Sequence, residues 1–156
     1  MSTTSLRSLR EDDVAAALTI LRGAVPVSSH AALVSVVESA AFAPSPEQRG
    51  LVAEVDGAPV AIAVYGEFAG AAGAGRLHLL AVAEHHRRHG LGALLLGRIA
   101  EELSARATRF ILAELPDERP ALDDYFAFLR ASGFTEESRI PDFYRDGVAM
   151  VFLRRG

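Results

Sequence analysis

Two arginines, three histidines and two glycines crowd into His85–Gly92, directly ahead of a long apolar run. Gly90 and Gly92 stand where the chain leaves one element and enters a helix. A helix start exposes unpaired backbone N–H groups at the positive end of the dipole, and both attract an anion. Glycines let a phosphate approach the backbone closely. Arg87 and Arg88 add positive charge beside them, and no acidic residue lies between Arg87 and Leu96. The chemistry this arrangement serves is the binding of a phosphate or pyrophosphate. A dinucleotide fingerprint needs a third glycine three residues after the second, where Leu95 stands instead. His85 and His89 have helical ligand spacing but precede the helix, so no metal is expected there.

Composition narrows the chemistry further. All 16 basic residues are arginine, and the absence of lysine fits a GC-rich coding sequence. It excludes both a P-loop lysine and a lysine Schiff base. With no cysteine there is no disulfide framework and no thiol nucleophile. The net charge of −4 lacks the basic excess of a nucleic-acid binder, so no nucleic acid is expected as a partner. No apolar run reaches the roughly 18 residues of a membrane span, and the N-terminal residues show no secretory signal. The expectation is a cytoplasmic protein with no membrane partner, and 156 residues suggest one domain over 1–156.

The elements that must position the glycines follow from periodicity. A short strand is expected over 6–10. Asp12 or Asp13 should cap a helix carrying Val14, Leu18 and Leu21, ended by Gly23 and Pro26. Ser28 or Ser29 should cap a second helix with Leu33, Val36 and Val37. Two β-rich runs flank Asp56-Gly57, which predicts a hairpin with a tight turn. A glycine-rich loop over 69–75 leads to a strand over 76–82. Leu91, Leu94, Leu95, Ile99 and Leu103 share one helical face, with Glu102 and Arg106 expected to pair on the outer side. A buried strand over 109–115, a helix ended by Gly133, and strands over 134–138 and 148–153 complete the chain. The order describes an α/β domain with a mixed sheet, whose strand–helix–strand unit from Arg76 to Leu115 is a parallel crossover.

Arg87-Arg88-His89-Gly90-Leu91-Gly92, after the strand ending "LLAV", resembles the Gln/Arg-x-x-Gly-x-Gly/Ala signature of the GNAT superfamily, the acyl-CoA-dependent N-acetyltransferases. "FLRASGF" is similar to that family's helix ending in Gly-Phe, "IPDFYRDGVAMVFLRR" to its last hairpin, and "LRSLREDD" to its first strand and helix. The resemblance covers nearly the whole chain in order. It implies a mostly antiparallel twisted sheet of six to seven strands, flanked by about four helices and carrying a splayed central strand pair.

For this chain the resemblance implies acetyl-CoA as co-substrate and an amine acceptor. The backbone of Arg88, His89, Gly90, Leu91, Gly92 and Ala93 would cradle the pyrophosphate, with Arg87 alongside. Leu80, Ala81 and Val82 would pair with the pantetheine arm and hold the acetyl carbonyl. Where the family often has a tyrosine acid, this chain has Leu129, which has no proton to give. Tyr125, one turn earlier and about 5.4 Å along the axis, is the replacement candidate; the alternative is that it packs with Phe128 and Leu129. Tyr144 is a rim residue or a second candidate. Where some members carry a glutamate base, this chain has Arg76. His78, two residues on, is the first candidate base, and Glu114 the second. A non-catalytic acyl-CoA-binding or regulatory module is the alternative to an enzyme. The exposed hairpin edge suits a two-fold homodimer.

Overall fold

The computed structural model describes residues 2–156. Seven strands form one sheet in the order β1-β2-β3-β4-β5-β7-β6. They are β1 (Thr4–Ser8), β2 (Arg49–Val55), β3 (Ala58–Glu67), β4 (Ala74–Val82), β5 (Phe110–Pro116), β6 (Phe134–Arg145) and β7 (Val148–Arg155). The helices are α1 (Val14–Ala24), α2 (His30–Phe42), α3 (Leu91–Ser104) and α4 (Asp123–Ala131). All neighbouring strands are antiparallel except β4 and β5, the parallel pair joined through α3. The mixed sheet and the crossover are as the sequence pattern predicts. No helix among the described residues is long and apolar enough to cross a membrane.

Period-2 alternation puts each strand's side chains on both faces. On β3, Ala61, Ala63 and Tyr65 join the core under α3 and α4, built on Leu95, Ile99, Leu103, Phe126 and Leu129. Ile62 and Val64 join the opposite core, under Ile20 and Leu21 of α1 and Val37 and Ala40 of α2. The helices thus lie as two layers on a sheet buried between them. The Asp56-Gly57 hairpin forms as expected, with positive φ of 52° and 83° at the two turn residues.

Several local expectations are corrected. Asp13 does not cap α1. Its carboxylate takes both ends of the Arg7 guanidinium at 2.7 Å and the Arg10 N–H at 2.7 Å, closing a short turn ahead of the helix. Neither Ser28 nor Ser29 caps α2 with its side chain; Ser28 Oγ instead reaches Glu118, 90 residues away. Glu102 does not pair with Arg106. It accepts a hydrogen bond from the buried Tyr65 hydroxyl, and Arg106 faces Glu67 at 3.9 Å. The long-range partners outcompete the local ones because they satisfy groups that burial would otherwise leave unpaired.

Asp13 is the one charged side chain in the buried class among the described residues. Its Arg7 partner holds its carboxyl below the ordinary 3.8. A depressed carboxyl contributes stability that is present above the unfolded value and lost as pH falls through the lower folded one. Asp13→Ala is expected to cost about 3 kcal/mol, the lower end for a broken buried pair because Arg7 keeps Glu54 at 2.9 Å. Urea unfolding at pH 7 measures it, and the wild-type and variant curves should converge well below pH 3.8.

Candidate active site

The central feature is a fork in the sheet. β4 and β5 pair only from Ala74 with Phe110 to Leu77 with Ala113, although β4 continues to Val82 and β5 to Pro116. The cause lies in β4 itself. Against β3, Tyr65 pairs with Leu77 but Val64 with Leu79, so His78 is an extra, bulged residue. A bulge bends its strand, and β4 turns away from β5 from this point. The backbone beyond, including Leu80, Ala81 and Val82, has no partner strand on the β5 side.

A cleft of about 500 Å³ runs from that opened edge to the start of α3. Leu80, Ala81 and Val82 line one wall, the 86–93 segment another, and Tyr125 and Phe128 of α4 a third. Gly90 caps the helix in left-handed conformation, φ 79°, where glycine is at ease. The first intrahelical bond runs from Leu94 N–H to Gly90 O at 3.0 Å. The N–H groups of Leu91, Gly92 and Ala93 therefore have no acceptor within the helix, and no side chain caps it. A Cβ on Gly92 would stand 3.0 Å from the Phe128 ring and 3.5 Å from Leu80, so a bare backbone here keeps the passage into the cleft open. Three free amides, a dipole end and a bare glycine suit a bulky anion with a narrow tail behind it.

Arg87 lines the cleft too, and its side chain is engaged by backbone. Its Nε donates to Val82 O at 3.0 Å and its Nη2 to Gly23 O at 3.1 Å, so the guanidinium ties the end of β4 to the end of α1. Arg88 lines the cleft with a left-handed φ of 65°, a conformation uncommon for a residue other than glycine. His89 does not line the cleft, whereas His86 does.

On α4, Leu129 is fully buried in the core and faces away from the cleft. Tyr125 faces into it, its ring near-parallel to Phe128 at 6.5 Å. Burial pushes the Tyr125 phenol well above its ordinary value, partly offset by the Leu80 backbone N–H directed at its oxygen. The phenol thus keeps its proton at neutral pH and holds it beside the Leu80 amide of the opened strand. Asp124 and Phe128, which the sequence reading gave no role in a site, share this wall. Their three- and four-residue spacing with Ala121 and Ala127 is the signal that marks the face.

The two candidate bases meet at the fork, on its other side. Glu114 is the first β5 residue beyond the parallel pairing. Its Oε2 accepts the Tyr144 hydroxyl at 2.7 Å, and its Oε1 lies 3.8 Å from Arg76. His78 Nε2 lies 3.0 Å from Glu47 O. A carbonyl only accepts, so Nε2 carries the proton and Nδ1 the lone pair. Burial holds the His78 imidazolium pKa below 6.5, so the ring is neutral at pH 7. This hydrogen bond ties the loop before β2 to the bulge.

The acetyltransferase (GNAT) family model matches residues 17–128. Among solved structures, a candidate GNAT-family acetyltransferase from Desulfovibrio desulfuricans superposes with a TM-score of 0.87 at 20% identity, over 97% of this chain and 98% of that one. An aminoglycoside 6′-N-acetyltransferase complexed with coenzyme A gives 0.77 at 14% identity, over 97% and 96%. The ribosomal-protein-S18-alanine N-acetyltransferase of Escherichia coli gives 0.74 at 20%, over 98% and 93%. At such identities these likenesses are likenesses of fold. A comparison with curated protein sequences finds no match.

Proposed function

We propose that this chain, which belongs to the acetyltransferase (GNAT) family, moves an acetyl group from acetyl-CoA to a primary amine by direct attack. The observation that carries the reading is one continuous cleft joining three free amides at the start of α3 to the opened edge of β4. The first suits a pyrophosphate and the second an extended amide-bearing arm. Acetyl-CoA would supply the activated acyl group. The N–H groups of Leu91, Gly92 and Ala93 bind its pyrophosphate, with Arg88 adding charge.

The Leu80 N–H donates to the thioester carbonyl oxygen and stabilises the negative charge that develops on it. Tyr125, whose hydroxyl lies toward that same amide, gives its proton to the departing thiolate. Glu114, across the fork, takes the proton from the amine. His78 keeps the fork open through Glu47. A module that binds acyl-CoA without turnover is the second reading, and the buried Leu129 at the usual acid position favours it. It predicts binding with no release of thiol.

Thermal shift tests the donor. At 100 times its dissociation constant a ligand adds roughly 2.7 kcal/mol, worth about 5–10 °C in Tm for a domain of this size. Acetyl-CoA and CoA should give that shift, and ATP and NAD none. An equal response to all four would sink the assignment. Acceptors are then screened as spermidine, kanamycin, an alanine-terminated hexapeptide and free methionine. Released thiol is read without protein background because the chain has no cysteine.

A further inference from the structure

The edge strand β6 does something its place in the sheet does not require. Strand β7 lies between it and β5, so β6 and β5 stand two ladder spacings apart, roughly 10 Å. Yet Tyr144 of β6 donates to Glu114 of β5 at 2.7 Å. A bulge permits the reach. Ile140 pairs with Met150 and Arg145 with Val148, so four residues on β6 face a single intervening one on β7. The 141–144 segment lifts off the ladder and folds back over β7.

The segment is held at both ends. Arg145 binds Glu118, and Arg139 binds Asp117, two consecutive carboxylates after β5. Ser28 from the connection between α1 and α2 also reaches Glu118, at 2.9 and 3.0 Å. Phe143 packs edge-on against the Tyr144 ring at 5.0 Å. The hydroxyl is therefore brought to Glu114 by a braced strap and is not a free rim group.

We infer that Tyr144 is a positioning residue that fixes the Glu114 carboxylate to receive the amine proton; this rests on the function proposed above. The groups facing that carboxylate are Tyr144 from β6 and Arg76 and His78 from β4. Tyr144 occupies Oε2. Oε1, beyond hydrogen-bond distance from Arg76, is left for the substrate. The proton passes from the ammonium nitrogen to Oε1, and the N–H bonding pair becomes the lone pair that attacks the acyl carbon. Glu114 then releases the proton to solvent, its side chain being 26% exposed.

A double-mutant cycle tests it, using the panel amine with the highest kcat/KM. Tyr144→Phe should lower kcat about tenfold, with KM for acetyl-CoA and the CoA-induced Tm shift unchanged. Glu114→Gln should lower kcat about 10²-fold or more. The double variant should match Glu114→Gln alone, because Tyr144 then has nothing to position. Effects that multiply, or a wild-type rate in either single variant, overturn the inference while leaving acetyl transfer intact. A wild-type protein that is stabilised by acetyl-CoA yet acetylates no panel amine overturns the proposed function, and this inference with it.

Discussion

Gly92→Asp is expected to raise the dissociation constant for acetyl-CoA by about 10²-fold or more and so to abolish its thermal shift. Residue 92 sits in the first turn of α3, where the Leu91, Gly92 and Ala93 amides have no helical acceptor. A carboxylate there would take those amides for itself and would face the two negative phosphates the amides are proposed to hold. The new side chain would also start 3.0 Å from the Phe128 ring, on the path into the cleft. The free protein should survive the change. Replacing a helical glycine by aspartate gains only about 0.3 kcal/mol in propensity, and an acid in a first turn roughly 0.3–1 more, against the cost of moving Phe128. Gly92→Ala separates charge from bulk, because it adds the methyl alone, and should lose far less affinity. Isothermal titration with acetyl-CoA checks both variants. Unchanged affinity in Gly92→Asp would remove the 88–93 segment from the donor site.

Tyr125→Phe is expected to slow transfer about 10²-fold or more while leaving acetyl-CoA affinity near wild type. Phenylalanine keeps the stacking against Phe128 and removes only the hydroxyl that faces the Leu80 amide. Because burial raises the Tyr125 phenol, its acid form persists above pH 10.0, its ordinary midpoint. The rate should therefore show no basic limb from this group below pH 10. Single-turnover thiol release measures both effects, and a wild-type rate in Tyr125→Phe would remove the tyrosine from the mechanism. An intact rate there, together with an intact rate in Glu114→Gln, would leave the backbone amide of Leu80 as the whole of the catalytic apparatus.

What the sequence made legible was local. The Asp56-Gly57 turn and the glycine pair at a helix start are written in spacings of a few residues and form as read; the α3 stripe does so except that Leu94 is exposed and Leu96 takes its place in the core. Side-chain partners far apart in sequence were not legible. The glycines mark Arg87 as a neighbour of the anion site, but nothing local shows that its guanidinium also ties two carbonyls, one 64 residues away. β6 was expected over 134–138 and extends to Arg145, because its nearly all-exposed face carries no apolar alternation and only the pairing with β7 defines it. The fork left one trace. Leu77, Leu79 and Leu80 break strict alternation around His78, the mark of an inserted residue. That break marks His78 as a bend in the strand. The face of α4 depends on which side of that helix meets the sheet, which one helix's own pattern does not decide: the core takes Leu129 and the cleft takes Tyr125.

The strap on β6 has a second consequence, for the company the protein keeps. A twelve-residue strand at a sheet edge presents a row of unpaired backbone groups that another chain can extend. Here Pro141 removes one donor from that row, the lifted 141–144 segment interrupts its regularity, and Arg139 and Arg145 flank the gap with charge. The same fold-back that carries Tyr144 to Glu114 spoils the edge as a template, so self-association by strand addition along β6 is disfavoured.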